Sequence, residues 1–154
     1  RCMPAAVGRA SAAARWAPLA EERQVQLLVH TDGEVPVVAL AGALDQVLDN
    51  LVDNALDVAP TGSTLEIGVQ PSVGLDVTDR VVLTVRDHGP GLGPEERQRA
   101  TDRFWRGPSS APSGTGLGLA IVDRLVRTGG GEVELCEPAE GTGLEVRVLL
   151  LPAR

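Results

Sequence analysis

The chain has 154 residues, a length typical of a single domain, and its 14 basic against 21 acidic residues give a formal net charge of −7. This acidic balance argues against nucleic acid or an anionic membrane surface as the main partner. All the basic residues are arginines, since the sequence contains no lysine. A lysine Schiff base, a Walker-type P-loop and a eukaryotic-type protein-kinase ATP site are therefore excluded, because each of them needs a lysine.

The two cysteines and two histidines do not indicate a disulfide framework or a zinc site, because Cys2, Cys136, His30 and His88 lack the required spacing. No stretch approaches the roughly 20 apolar residues of a membrane span. We expect a soluble piece of a longer protein, because the sequence does not begin with an initiator methionine. We expect a reducing compartment for this piece, and we expect the missing parts to carry a membrane anchor or a partner domain.

The first predicted element is an Ala-rich helical segment at 9–23, which Pro18 should kink or split. Two β-branched runs at 25–30 and 35–39 follow, separated by an Asp-Gly pair, and this pattern predicts two strands paired as a hairpin. The clearest helix covers 43–58, where apolar residues recur at helical spacing on one face.

The remaining predicted elements are four strands and a second long helix. Strand patterns occupy 65–70, 81–86, 132–136 and 144–150. The helix at 117–128 begins directly on a Gly-Thr-Gly-Leu-Gly turn and ends at three glycines. Helices interleaved with several strands predict an α/β protein with a two-layer sandwich architecture.

The first candidate functional residues lie on the 43–58 helix. Asn50 and Asn54 are four residues apart and share one face, with Asp57 one turn further. Carboxamide oxygens suit a magnesium ion that keeps most of its waters and is shared with phosphates. The alternative is an ordinary solvated helix face opposite an apolar stripe.

A second candidate pattern follows the strand at 81–86, where Asp87 is succeeded by Gly89 and Gly91. A carboxylate at a strand end can accept a hydrogen bond from the amino group of a base, and glycines let the backbone approach a flat ring. The alternative is a polar loop between a strand and a helix.

A third candidate pattern opens the second helix, and its residues are Gly114, Thr115, Gly116, Leu117 and Gly118. Unhindered amides at a helix N-terminus make an anion site, and without lysine a phosphate must also be held by hydroxyls and arginines. Arg103 and Arg106, on either side of Phe104-Trp105, are the nearest candidates, although most arginines are simply solvated. The stretch 107–113 has the composition of a linker, which suits a mobile lid or plain disorder.

The order of these motifs resembles the order found in the catalytic and ATP-binding domain of bacterial sensor histidine kinases. Those domains belong to the GHKL superfamily, whose fold is of the Bergerat type. The asparagine box is matched by LDQVLDNLVDNALDVAP, the first glycine box by VRDHGPGLGPEE and the phenylalanine box by RFWRG. The second glycine box and the closing strands are matched by GTGLGLAIVDRLV, GGGEVEL and EGTGLEVRVLLLP. Four ordered motifs over residues 43–152 are far more specific than any one of them.

The resemblance implies a mixed sheet covered on one face by helices, and a role for each matching residue. Asn54 would bind magnesium, and Asn50 stands where hydrolytic ATPases of the superfamily place a glutamate base. Because an amide cannot deprotonate water, Asn50 fits transfer of the γ-phosphate rather than rapid hydrolysis. The adenine side would be formed by Asp87, Gly89, Gly91 and Thr142. On the triphosphate side, residues 114–118 would form the loop, Phe104 would tether the lid at 107–113, and Arg103 or Arg106 would reach phosphate.

Some residues depart from the family pattern. Asp57 occupies a position where many relatives carry a cation, so its carboxylate would repel phosphates unless it faces solvent or orders a magnesium-bound water. His88 and Gly129 replace the commonest residues, Asn and His, without removing an essential group. His30 and His88 do not lie on a helix of the dimerisation type, so neither is expected to be the phosphoacceptor.

The resemblance implies a protein-histidine kinase domain that binds ATP and Mg²⁺. Residues 1–154 would form one domain, with 1–22 as a helical connecting segment. The phosphoacceptor histidine would lie on a separate dimerisation domain of the same kinase, and the phosphoryl group would pass on to the receiver domain of a response regulator. The full-length protein would be a homodimer, and this piece alone would bind ATP without phosphorylating itself.

Three alternatives remain beside this interpretation. An anti-sigma-type serine kinase, a regulatory binding module of the same superfamily, has a similar length, but RFWRG and GLGLAIV favour the sensor kinase. A conformational ATPase of the gyrase, mismatch-repair or heat-shock chaperone type would carry a glutamate at position 50, where this chain has Asn50. A degenerate domain that no longer binds nucleotide is suggested by Asp57 alone.

Overall fold

The computed structural model of the chain describes residues 2–7, 9–31, 33–72, 79–108 and 114–153. Its strands are β1 (Cys2–Val7), β2 (Gln26–Thr31), β3 (Val35–Leu40), β4 (Thr64–Ser72), β5 (Arg80–Arg86), β6 (Glu132–Cys136) and β7 (Glu145–Leu150). Its helices are α1 (Arg9–Glu22), α2 (Ala43–Val58), α3 (Pro94–Arg99) and α4 (Gly118–Thr128). A mixed sheet has the order β2-β4-β5-β7-β6, and β1 pairs with β3 in a separate two-stranded sheet. Over these residues, no helix has the length and apolarity needed to cross a bilayer.

Helix α2 matches the predicted 43–58 helix residue for residue. Its apolar stripe is buried and includes Val47, Leu51 and Val52. The stripe packs in one core with Val122 and Val126 of α4 and with the inner residues of the sheet. Removing this apolar surface from water holds the helices on the sheet and leaves the polar face of α2 pointing away from the core.

Alternation along the central strands explains why the sheet has one covered face. In β4 and β5, Ile67 and Leu83 are fully buried, whereas their neighbours Glu66 and Thr84 are partly exposed. Antiparallel pairing joins β4 to β5, β5 to β7 and β7 to β6. The four strands predicted in this part of the chain are therefore confirmed, as is the two-layer α/β architecture.

The predicted hairpin between 25–30 and 35–39 is wrong, although both strands exist. Strand β2 pairs in parallel with β4, with Gln26 opposite Thr64, and β3 pairs antiparallel with β1. A parallel pair needs a long crossover connection, which here contains β3 and α2. The Asp-Gly composition predicts a connection between two strands, but it carries no information about which strand lies next to each of them. Strand β1 was not predicted.

Pro18 does not split α1, so of the two predicted outcomes, a kink or a split, the split is wrong. Proline lacks the N–H that would bond four residues back, so the helix loses one internal bond, and Pro18 itself is exposed. On either side of it, Trp16 and Ala20 are buried in the core. The indole Nε1 of Trp16 also donates a 2.8 Å hydrogen bond to Asp49 on α2. This packing offsets the lost bond, so the predicted connecting segment 1–22 contains one strand and one unbroken helix.

Candidate functional site

A cavity of about 540 Å³ opens between α2, the end of β5 and the beginning of α4. This volume suits a small-molecule ligand. The predicted site residues that line the cavity are Asn50, Asn54, Asp57, Asp87, Gly91, Arg106, Gly114, Thr115, Gly116, Leu117 and Gly118. Apolar side chains, including Leu51, Val85 and Val146, also line it. Most of the residues chosen from four separate motifs therefore meet around one space.

The α2 wall of the cavity carries the polar face expected from helical spacing, with Asn50, Asn54 and Asp57 all in the lining. Asn54 also lies close to the beginning of α4, because a Cβ built at Gly118 would be 3.3 Å from both Oδ1 and Nδ2 of Asn54. A side chain at position 118 would press on this amide. Glycine at that position lets the amide of Asn54 lie next to a helix N-terminus.

Asp87 follows the last residue of β5 and is only 4% exposed. Its Oδ1 accepts hydrogen bonds from the backbone N–H of Gly89 at 2.8 Å and of Leu144 at 3.3 Å. Because both bonds go to Oδ1, Oδ2 is left to accept a donor from a ligand. Burial raises the pKa of Asp87 above its usual range, against the opposing effects of the two backbone hydrogen bonds and of His88.

Two glycines hold the loops around Asp87 close together. A Cβ at Gly143, where φ is +114°, would lie 2.0 Å from the carbonyl oxygen of Asp87. A Cβ at Gly91, where φ is +74°, would lie 2.6 Å from the carbonyl oxygen of Gly143. Both approaches require glycine. Thr142 lies in the same loop but outside the cavity lining, and its hydroxyl donates a 3.4 Å hydrogen bond to the carbonyl oxygen of His88.

Gly89, Arg103 and Phe104 are the other predicted residues outside the lining. Gly89 lies behind the carboxylate of Asp87 and donates to it. Phe104 has a left-handed backbone with φ of +65°, and its ring is 68% exposed. The guanidinium carbon of Arg103 lies 5.6 Å from the centre of that ring. The predicted lid at 107–113 lies largely outside the described residues, which stop at 108 and resume at 114.

Among the lining residues that were not predicted are two charged residues and an aromatic one: Arg23, Asp53 and Trp105. Arg23 follows α1, and its Nη1 lies 3.6 Å from Oδ1 of Asp57. Burial, followed by the charges of Asp49 and Asp57, raises the pKa of Asp53, and Arg23 opposes this rise. A repeat of aspartates every four residues on α2 was visible in the sequence and could have indicated Asp53. No motif indicated Arg23, because it belongs to none of the four.

The side chains around the cavity do not form a carboxylate or imidazole cage for a metal. Across the described ranges, no group of three or more His, Cys, Asp or Glu side chains is arranged to hold an ion. Asn50 and Asn54 contribute amide oxygens to the α2 wall, and Asp53 and Asp57 contribute carboxylates to the same wall. Such a sparse set of oxygen donors fits magnesium, which keeps several waters and shares its remaining positions with substrate phosphates.

Comparison with known proteins gives a consistent result. Residues 40–154 match the family described as "Histidine kinase-, DNA gyrase B-, and HSP90-like ATPase". The chain is 39% identical over 84% of its length to sensor protein kinase PmrB of Pseudomonas aeruginosa, and 35% identical over 85% to swarming motility regulation sensor protein RssA of Serratia marcescens. It spans 26% and 27% of those two proteins.

Solved structures show the same architecture. The mycobacterial sensor histidine kinase MprB superimposes with a TM-score of 0.78 at 25% identity, covering 99% of this chain and 100% of that one. The catalytic domain of histidine kinase ThkA superimposes with a TM-score of 0.75 at 23% identity, covering 92% of this chain and 89% of that one. At this identity, the similarity supports the fold alone. Fold and family together define a nucleotide-binding α/β domain. The chain belongs to the histidine kinase-, DNA gyrase B- and HSP90-like ATPases, and within them to the ATP-binding catalytic domains of sensor histidine kinases.

Proposed function

We propose that this domain binds ATP with magnesium and presents the γ-phosphate to a histidine on a separate dimerisation domain of the same kinase. The phosphoryl group then passes to the receiver domain of a response regulator. The observation that carries the proposal is the composition of the cavity, which combines a buried carboxylate after β5 with two amides on α2, one of which lies beside the N-terminus of α4. The carboxylate suits the amino group of adenine, and the amides suit a metal-bound phosphate chain.

On the adenine side, Asp87 accepts a hydrogen bond at Oδ2 from the exocyclic amino group of the base. Gly91 lets the ring approach the backbone, because its φ of +74° and its contact with Gly143 leave no room for a side chain. Gly89 and Thr142 act from outside the cavity. Gly89 orients the carboxylate by donating to Oδ1, and Thr142 holds the loop through its hydrogen bond to the backbone.

On the phosphate side, the backbone N–H groups of 114–118 and the N-terminus of α4 bind phosphate oxygens. Arg106 lines this part of the cavity and adds a positive charge. Phe104 tethers the 107–113 segment, because its N–H donates a 2.9 Å hydrogen bond to the carbonyl oxygen of Gly116. Arg103 lies over the Phe104 ring and is the second arginine proposed to reach phosphate.

The two asparagines have different roles. Asn54 supplies an amide oxygen to the magnesium ion, which neutralises phosphate charge when it is bound. Asn50 lines the same wall but takes no proton from water, since its amide is neutral. Hydrolysis therefore lacks a general base from Asn50, and ATP stays intact until the acceptor histidine attacks.

The acceptor histidine is proposed to lie elsewhere in the full-length protein. His30 is exposed on β2, and His88 lies in the loop behind Asp87, so neither is on a helix. The chain spans about a quarter of the length of its sensor-kinase relatives. The remainder is proposed to supply the dimerisation domain, a homodimeric assembly and a membrane anchor. The present domain would then act in the cytoplasm, where its ATP is.

Calorimetric titration with ADP and with the non-hydrolysable analogue AMPPNP, first with magnesium and then with EDTA, tests nucleotide binding. We expect micromolar to submillimolar binding that is tighter for AMPPNP with magnesium. No heat, together with an unshifted melting temperature at millimolar nucleotide, would overturn the proposal.

A second assay tests phosphoryl transfer. The chain is mixed with γ-labelled ATP and the separately produced dimerisation domain of its full-length protein. We expect acid-labile label on the histidine of that domain and none on this chain alone. Label on a serine of another protein would instead favour the anti-sigma-type alternative.

A further inference from the structure

The α2 wall of the cavity carries two carboxylates, Asp53 and Asp57, beside the amides proposed to meet the phosphate chain. Carboxylates in this position repel phosphate oxygens unless a cation stands near them. Among the described lining residues, the cations are Arg23 and Arg106. Arg23 lies next to both carboxylates, because its Nη1 is 3.6 Å from Oδ1 of Asp57 and its charge opposes the rise in the pKa of Asp53.

Arg23 reaches the cavity because α1 ends beside the last turn of α2. The N–H of Arg23 donates to the carbonyl oxygen of Leu19 at 3.2 Å and so continues the helical bonding. The next residue, Gln24, has a left-handed backbone with φ of +55°, and its carbonyl oxygen accepts a 2.8 Å hydrogen bond from the N–H of Gly62. The backbone before Arg23 is therefore held by α1, and the backbone after it is held to the turn that follows α2.

The ion pair between Arg23 and Asp57 leaves the guanidinium able to bind a further anion. The 3.6 Å between Nη1 and Oδ1 is longer than a hydrogen bond, and 47% of the Arg23 side chain is exposed. A guanidinium has five N–H donors and no acceptor. Asp57 thus attracts the guanidinium to the cavity without using its donors in a close, bidentate contact.

We infer that Arg23 binds a phosphate oxygen of the nucleotide and that Asp57 is the positioning residue which holds the guanidinium there. The inference rests on the proposed nucleotide-binding function. Asp57 lies one turn after Asn54 and directly before Val58. Val58 in turn lies against the adenine loop, because its carbonyl oxygen is 2.7 Å from the position that a Cβ at Gly89 would take. Arg23 therefore meets the ligand between the amide wall and the adenine loop, where the phosphates join the nucleoside.

The test compares two arginines of the same segment that both pair with aspartates of α2. Arg15 donates to Asp49 at 2.9 Å but does not line the cavity, so Arg15→Gln is a matched control for Arg23→Gln. The ADP dissociation constant of each variant is measured by calorimetry, and the melting temperature without ligand checks the fold. We expect R23Q to lose about tenfold to a hundredfold in ADP affinity and R15Q less than about twofold.

A third variant separates charge from packing. Arg23→Met keeps most of the apolar stem without the charge, so it should lose ADP affinity to the same extent as R23Q. An ADP affinity of R23M within about threefold of the parent would assign the effect to packing of the arginine stem and overturn the inference, as would an R23Q loss no larger than that of R15Q. If the unchanged chain binds no ADP, the proposed function fails and the inference fails with it. If the parent binds ADP and R23Q binds it equally well, the inference about Arg23 is overturned and the proposed function stands.

Discussion

The backbone N–H of Phe104 donates a 2.9 Å hydrogen bond to the carbonyl oxygen of Gly116, which joins the residues on either side of the 107–113 segment. The contact is tight, because a Cβ at Gly116 would lie 2.7 Å from the carbonyl carbon of Phe104 and 2.8 Å from the carbonyl oxygen of Trp105. The bond therefore holds Trp105 and Arg106, which line the cavity, next to the loop at the beginning of α4.

Gly116→Ala should both destabilise the fold and weaken ADP binding. The added Cβ meets backbone atoms that cannot move aside, and φ of +70° is strained for alanine. We expect the free energy of unfolding to fall by about 3 kcal/mol or more. Gly42→Ala is the matched control, because Gly42 has φ of +72° with open space around it and lies outside the cavity lining. It should cost about 1–2 kcal/mol in urea unfolding and leave ADP affinity unchanged. Equal effects of the two substitutions would contradict this account.

Asp87→Asn should weaken adenine recognition while the loop stays in place. The amide oxygen can still accept from Gly89 and Leu144, which both bond to Oδ1. The NH₂ group then replaces Oδ2 and presents donors to the donor amino group of adenine. We expect a loss of about tenfold to a hundredfold in ADP affinity by calorimetry, with little change in circular dichroism. A variant that binds ADP like the parent would remove Asp87 from the adenine site.

The raised pKa of Asp87 predicts opposite effects of pH on binding and on stability. Protonation removes the acceptor, so ADP affinity should fall on acidification, beginning above about pH 4, where an exposed aspartate titrates. In the absence of ligand, the folded state holds this proton more tightly than the unfolded state does. The contribution of Asp87 to the free energy of unfolding is therefore largest at low pH and falls as pH rises through its folded-state pKa.

Titrations in parallel with the Asp87→Asn variant isolate this group, because the ligand phosphates titrate equally in both measurements. The difference between parent and variant in ADP affinity should shrink on acidification. A difference that stays constant down to pH 4 would mean that the carboxylate is not the acceptor.

Asn54→Ala should remove the part of nucleotide affinity that depends on magnesium. The amide of Asn54 faces the beginning of α4, and its oxygen is the donor proposed for the ion. We expect AMPPNP affinity in magnesium to fall to the value measured in EDTA. Gln46→Ala, on an exposed position of the same helix outside the cavity lining, should leave both values unchanged. A full magnesium effect in N54A would assign the ion to other ligands.

Much of the site could be predicted because the direction of its side chains depends on residues nearby in the sequence. The spacing of Val47, Leu51 and Ala55 determines which face of α2 is buried, and with it the direction of Asn50 and Asn54. The position of Asp87 at the end of an alternating strand is equally local. For these residues, the local sequence pattern is enough to predict which side chains line the cavity wall.

The errors concern contacts between distant segments. A short turn with Asp-Gly suggested a hairpin, but the partners of β2 and β3 are β4 and β1. The sequence also leaves open whether Asp57 repels phosphates, faces solvent or orders a magnesium-bound water, because nothing in its own helix shows that Arg23 lies 3.6 Å from it. Such pairings depend on how α1 ends and on the turn at Gly62, and neither leaves a periodic signal in the sequence.

The parallel pairing of β2 with β4 also constrains the order of events during synthesis of the chain. Strand β2 leaves the ribosome before β3 and α2, and its neighbour β4 follows only after them. Until β4 emerges, β2 has no partner in the sheet, whereas β1 and β3 can pair as soon as β3 has emerged. Non-local strand pairing of this kind slows folding. The cavity, whose walls extend from Arg23 to Val146, is completed only after Val146 has emerged from the ribosome.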